Sequence, residues 1–125
     1  MILFVDYNDV CRAALAAAYY EKIHGKRAQS AGVYADVGAA LGKTVCPPLI
    51  EKHTARQLTE KMVNHADKIY CVTYAIAQHL CETYPQQAYK ICAMQEDIAD
   101  PLGQGRQAYL DCARHIEMQM EAMQE

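Results

Sequence analysis

Tryptophan is absent from this 125-residue sequence and phenylalanine occurs once, so Val, Ile, Leu, Ala, Met and nine Tyr must fill any core. No apolar run approaches the roughly 20 residues of a membrane-spanning helix. The opening Met-Ile-Leu-Phe-Val stops at Asp6, and it lacks the basic flank of a signal peptide. Positive charge is not in excess either. Twelve Lys and Arg stand against 15 Asp and Glu, for a net charge of −3, and without a broad basic field neither nucleic acid nor an anionic membrane is an expected partner. Six cysteines, at 11, 46, 71, 81, 92 and 112, include no CxxC pair. They match neither a disulfide framework nor a zinc site, so most are expected as buried small hydrophobes of a cytoplasmic protein. His79 with Cys81 and Cys112 with His115 lack partnered ligand pairs, and no metal or other cofactor is expected.

What is present is a globular balance, 52% hydrophobic and 22% charged, in a chain whose length suits a single domain over residues 1–125. No repeat or linker divides it, although the Gly- and Pro-dense residues 38–48 read as a long loop or broken helix. Residues 2–5 are a short continuous apolar run, the pattern of a strand buried on both faces. An Ala-rich helix over 11–24 stops at Gly25, and a second strand fits 28–32. Thr59 caps a helix reaching His65, residues 68–73 form a third strand, and a helix over 74–84 ends at Pro85. A fourth strand over 88–94 and an amphipathic helix from Gly103 to Glu125 complete the chain. The alternation predicts an α/β fold, a flavodoxin-like three-layer sandwich with a four-stranded parallel sheet and helices on both faces. Ligands of such sheets sit beyond the carboxyl ends of the strands, so residues just after the first strand are the first place to look.

That loop reads Asp6-Tyr7-Asn8-Asp9-Val10-Cys11-Arg12 and leads straight into the first helix. A tight strand-to-helix loop presents backbone N–H groups at a helix N-terminus, and Arg12 adds a planar fork suited to phosphate. Two carboxylates in the same loop oppose a dianion. Asp6 and Asp9 could share a divalent cation, but carboxylates beside an arginine more often make a salt bridge.

The segment Phe4-Val5-Asp6-Tyr7-Asn8-Asp9-Val10-Cys11-Arg12-Ala13-Ala14 resembles the phosphate-binding loop of the low-molecular-weight protein tyrosine phosphatases, Val-Cys-x-Gly-Asn-(Ile/Val)-Cys-Arg-Ser-Pro. Four further segments follow in register. Gln29-Ser30-Ala31-Gly32 resembles the family's second strand, and Ala55-Arg56-Gln57-Leu58-Thr59-Glu60 its Ser/Ala-Arg-x-Leu-Thr segment. Ala66-Asp67-Lys68-Ile69-Tyr70-Cys71-Val72-Thr73 resembles the third strand. Asp100-Pro101-Leu102-Gly103, with Tyr109, resembles the acid loop of the bacterial branch that includes arsenate reductases and arginine phosphatases. The likeness spans nearly the whole chain, with a shortening around 38–56 that leaves the alignment of His53 open.

The resemblance implies roles for particular residues. Asp100 matches the general acid, Arg12 the arginine that grips the phosphoryl group, and Cys11 the second loop cysteine, which protects the nucleophile through a disulfide. The nucleophilic cysteine itself is matched by Asp6. Asn8 stands where the family has Gly, Asp9 where it has Asn, Ala13 where it has the thiolate-stabilising Ser, and Ala14 where it has Pro. A carboxylate facing phosphate at about 4 Å costs on the order of 4 kcal/mol at an effective dielectric of 20 unless a cation intervenes. Several concerted departures suggest a natural member that has lost or exchanged its reaction. An ion pair between Asp6 and Arg12 is the expected arrangement.

Two functions remain open. One is a pseudophosphatase that binds or regulates a protein or small anionic ligand through Asp6, Tyr7, Asn8, Asp9, Val10, Cys11, Arg12, Ala13 and Asp100. The other is an active phosphoric monoester hydrolase with Asp6 as nucleophile or base and Asp100 as acid. Met118, Met120 and Met123 mark a core seam or a homodimer contact, and one ring of the Tyr19-Tyr20 pair is expected in the core.

Overall fold

The computed structural model describes residues 1–123. Four parallel strands, β1 (Ile2–Asp6), β2 (Ala28–Gly32), β3 (Lys68–Cys71) and β4 (Ile91–Ala93), lie in the order β2-β1-β3-β4. β1 is therefore central. Its Ile2 stands opposite both Ala28 and Lys68, and its Val5 opposite both Ala31 and Cys71. Leu3, Phe4 and Val5 have no exposed surface, because helices cover both faces of the sheet. The two-residue period of the strand divides them. Leu3 and Val5 join Val63, Ile69, Cys71 and Leu80 on one face, and Phe4 joins Leu15, Tyr20, Ile116 and Met120 on the other.

The face that holds Phe4 is covered by α1 (Arg12–His24) and α4 (Arg106–Ala122), the opposite one by α2 (Glu60–His65) and α3 (Tyr74–Thr83). Gly25 ends α1 at φ 69°, a left-handed conformation that costs glycine nothing, and its N–H returns to the Glu21 carbonyl. The Thr59 and Thr73 hydroxyls accept the N–H groups of Met62 and Ile76, each at 3.2 Å, and so cap α2 and α3. Tyr20 is the core ring of its pair, 5.7 Å from Phe4 between centroids. Met120 is buried and Met118 is 61% exposed, so only part of the methionine seam is core.

Several boundaries differ from the sequence reading: β1 runs on to Asp6, α1 starts at Arg12, and β3 and α3 end early, at Cys71 and Thr83. β4 starts at Ile91 rather than 88, because Pro85–Lys90 winds into a 3-10 turn. The buried Lys90 ammonium holds that turn by donating to the carbonyls of Ala66 at 2.7 Å and Asn64 at 3.2 Å, beside the end of α2. α4 starts at Arg106 rather than Gly103, because Gly103 and Gly105 adopt φ of 76° and 86°, outside helical geometry. The last two residues of the helix expected to reach Glu125 lie outside the described residues. Residues 38–47 form a loop of turns, the first of the two forms expected there, and a 3-10 turn follows at Pro48–Ile50. Among the described residues no helix is long and apolar enough to cross a membrane.

From β1 the chain passes through α1 to β2 on one side, and from β2 it crosses through α2 to β3 on the other. The direction of winding reverses at β1, which opens a crevice beyond its carboxyl end. Asp6 closes that strand.

Candidate functional site

Asp6 is the last residue of β1 and has no exposed surface. Its two carboxylate oxygens face different backbone donors. Oδ1 accepts the N–H of Asp9 at 2.6 Å, and Oδ2 accepts the N–H of Ala13 at 2.8 Å. Ala13 is the second residue of α1, whose free N–H groups need an acceptor. Cys11, at the N-cap, supplies no side-chain bond to them. The carboxylate of Asp6 thus caps α1 from seven residues away. Burial pushes its pKa up to about 6, against the pull of the Ala13 amide, and the neighbouring Asp9 charge adds to the rise.

The intervening loop is held from several sides. The Asn8 side-chain carbonyl accepts the Val10 N–H at 3.2 Å, a local turn that asparagine favours. Asp9 takes φ 58°, the one positive φ outside glycine among the described residues, in the left-handed region that Asp and Asn tolerate. Its side chain is fully buried: Oδ2 accepts the Arg56 N–H at 2.9 Å, and Oδ1 lies 3.4 Å from His53 Nε2. That same imidazole nitrogen is 2.6 Å from the Asp9 carbonyl. Burial of the ring opposes protonation, but the Asp9 carboxylate and carbonyl outweigh it and raise the His53 pKa. Gly32 lies against this part of the loop. A Cβ there would come within 2.6 Å of the Asn8 carbonyl carbon and 2.7 Å of the Asp9 nitrogen.

Arg12 does not make the expected ion pair with Asp6. Its Nη1 donates to the Ile98 carbonyl at 2.9 Å, and its Nη2 stands 3.7 Å from Asp100 Oδ2. The reason is that the Asp6 oxygens already have amide partners, while Asp100 approaches on a turn of its own: Asp100 Oδ1 accepts the Leu102 N–H and its carbonyl accepts the Gln104 amide. Arg12 pulls the Asp6 pKa down by less than the Asp9 charge pushes it up. At the rim, the exposed rings of Tyr7 and Tyr34 sit 5.4 Å apart. Val10 is partly buried, and Ala13 is buried without a hydroxyl to offer the loop.

The fold therefore gathers Asp6, Asp9, Cys11, Arg12, Ala13 and Asp100 at one end of the sheet, with Tyr7 and Asn8 on its lip. Three contributors were not among the residues expected at the site. His53 arrives from the shortened segment, Gly32 is marked only by lack of space, and Cys112 of α4 lies in the same buried cluster as Cys11. No group of three or more His, Cys, Asp or Glu positioned for a metal ion occurs among the described residues.

What this arrangement can do follows from its donors. Two loop amides serve an internal carboxylate, and an arginine is shared between a carbonyl and a half-exposed carboxylate. The same end of the sheet can be compared with known proteins. A family model described as low molecular weight phosphotyrosine protein phosphatase matches residues 1–125. A protein-arginine-phosphatase of Geobacillus stearothermophilus is 27% identical over 138 aligned positions, covering 99% of this chain and 93% of that protein. The low molecular weight protein-tyrosine-phosphatase Wzb of Escherichia coli K12 is 26% identical over 124 positions, covering 86% and 82%. Among solved structures, the YwlE arginine phosphatase of Geobacillus stearothermophilus superposes with a TM-score of 0.86 at 27% identity over 96% of this chain and 87% of that one. The parallel sheet and its helices are those of these enzymes, and the chain belongs to the low molecular weight phosphotyrosine protein phosphatase family.

Proposed function

We propose that this family member is a pseudophosphatase, which uses the loop, Arg12 and Asp100 to bind or regulate a protein or a small anionic ligand in the cytoplasm without hydrolysing phosphate esters. The observation that carries this reading is the carboxylate of Asp6. It is buried, and it takes the amides of Asp9 and Ala13 that would otherwise be free for an incoming anion. The family's chemistry asks for a thiolate that attacks phosphorus and later leaves it. The resemblance places Asp6 where that thiol stands, and Ala13 where a hydroxyl would steady it.

A second reading, an active phosphoric monoester hydrolase, is favoured by the Asp6 pKa of about 6, which suits a group that exchanges protons near neutral pH. In it Asp6 serves as nucleophile or base and Asp100 as general acid. Against it, an aspartyl-phosphate route typically uses a cation to offset the two negative charges.

Turnover separates the two. On the first reading the protein leaves p-nitrophenyl phosphate and a phosphoarginine peptide intact, with and without Mg²⁺, and Asp6→Cys combined with Ala13→Ser gains activity. Turnover by the unaltered protein that disappears in Asp6→Ala would establish the second reading and overturn the first.

A further inference from the structure

Beside β2, an edge strand of the sheet, lies a cavity of about 210 Å³ bounded by α1, β2 and the segment that follows the 3-10 turn at Pro48–Ile50. Sites for drug-sized ligands start at about 300 Å³, so this one suits a smaller molecule. On its α1 side Ala14, Ala17 and Ala18 form an apolar wall that ends at Glu21, all four on one helical face. Ile50, Lys52, His53 and Arg56 stand on the other side.

The charges around this cavity are segregated. His53 and Arg56 belong to its loop end: His53 Nε2 is 2.6 Å from the Asp9 carbonyl, the Arg56 N–H donates to the Asp9 carboxylate, and Arg56 Nη2 donates to the Ser30 carbonyl at 3.0 Å. Glu21, the one carboxylate among the lining residues, stands at the opposite end, because α1 leaves the loop at Arg12 and runs about 10 Å from Ala14 to Glu21. Among the described residues Glu21, Lys52 and Arg56 enter no ion pair, with one another or with any other side chain. The Arg56 charge also opposes a proton on His53. Cations gathered at one end of an apolar slot, with an unpaired carboxylate at the other, complement a molecule that carries a carboxylate and an ammonium at the two ends of an apolar chain.

We propose that this cavity binds a small linear amino acid whose amino group sits at the far end of the chain from its carboxylate, with the carboxylate toward Arg56 and His53 and the ammonium toward Glu21. The methylenes between them lie against the alanines and Ile50, and Lys52, next to His53 in the chain, adds positive charge. The site is separate from the loop's own, and it stands whether or not the loop hydrolyses phosphate. Its link to the loop is His53, which lines the cavity and bonds to Asp9. A ligand carboxylate beside this ring adds a second anion to the Asp9 charge and favours the protonated form. Glu21, Lys52 and Arg56 are exposed, so each ion pair changes affinity by about fivefold or less.

The test is a titration of the full protein with ε-aminocaproate at low salt and neutral pH, followed by methyl NMR. The expected result is a saturable shift of the Ala14, Ala17 and Ala18 methyl resonances with a dissociation constant on the order of millimolar, and a His53 ring titration displaced to higher pH at saturation. Caproate and hexylamine each keep one charged end and should bind about three- to fivefold more weakly. Glu21→Gln, an exposed change on the helix surface, should weaken ε-aminocaproate to the level of caproate and leave caproate itself unchanged. No saturable shift at the three alanines, equal binding of caproate or hexylamine, or ε-aminocaproate binding unaltered in Glu21→Gln would overturn the proposal. The methyl shifts and the three-ligand comparison are read in the unaltered protein, so they do not depend on the variant folding.

Discussion

Arg12 Nη2 stands 3.7 Å from Asp100 Oδ2, so the buried guanidinium of the loop pairs with a residue 88 positions away and not with the carboxylate six positions before it. Half-exposed pairs of this length contribute little, about 1 kcal/mol or less. Asp100→Ala should therefore lower the unfolding free energy by less than about 1 kcal/mol in urea, because the Arg12 bond to the Ile98 carbonyl persists.

The buried Asp6 carboxylate makes stability depend on pH with a definite sign. Its folded pKa of about 6 lies above the ordinary 3.8, so the native state holds a proton that the unfolded chain has lost in that interval. Stability falls as pH rises through the window, by about 3 kcal/mol in all. Asp6→Asn removes this titration. Urea melts at a series of pH values should show the difference, wild type minus variant, falling by about that amount between roughly pH 4 and 7. A difference independent of pH would contradict the burial argument.

The bond between His53 and Asp9 acts in the same direction. A histidine whose folded pKa is raised contributes stability that is full below its ordinary 6.5 and is lost as pH rises through the folded value. Asp9→Asn keeps the left-handed backbone and removes the charge. The His53 titration, followed by NMR of the ring protons, should move to lower pH in that variant. An unchanged midpoint would mean that the Asp9 carbonyl alone sets it.

At Gly32 a methyl group has nowhere to go. The nearest atoms to a Cβ are Asn8 and Asp9 backbone, which cannot swing aside as a side chain would. Gly32→Ala should cost about 1–3 kcal/mol through displacement of the loop, and it should broaden or shift the amide resonances of Asn8 and Asp9. A neutral substitution would show that the loop is free to move away from β2.

The sheet was legible because its signals are local. The apolar run before Asp6 has one reading in an alternating chain, and Thr59 and Thr73 act on amides three residues on. β4 was misplaced at its start because Lys90, which holds the preceding turn, bonds to carbonyls of α2 that no spacing reveals. The site followed the same division. Its loop residues were visible as a segment, but the Asp6 partners are backbone amides, which carry no letter in a sequence. A charge count naturally paired Asp6 with Arg12; it could not register that Asp6 was already satisfied.

The central claim is that Asp6 takes the Asp9 and Ala13 amides that a phosphate in this loop would need, and phosphate binding tests it most directly. Isothermal titration of inorganic phosphate at about pH 8, where Asp6 is ionised, should show no binding to the unaltered protein and measurable binding to Asp6→Ser, whose hydroxyl can still accept one loop amide. Equal phosphate affinity for the two proteins would contradict the account.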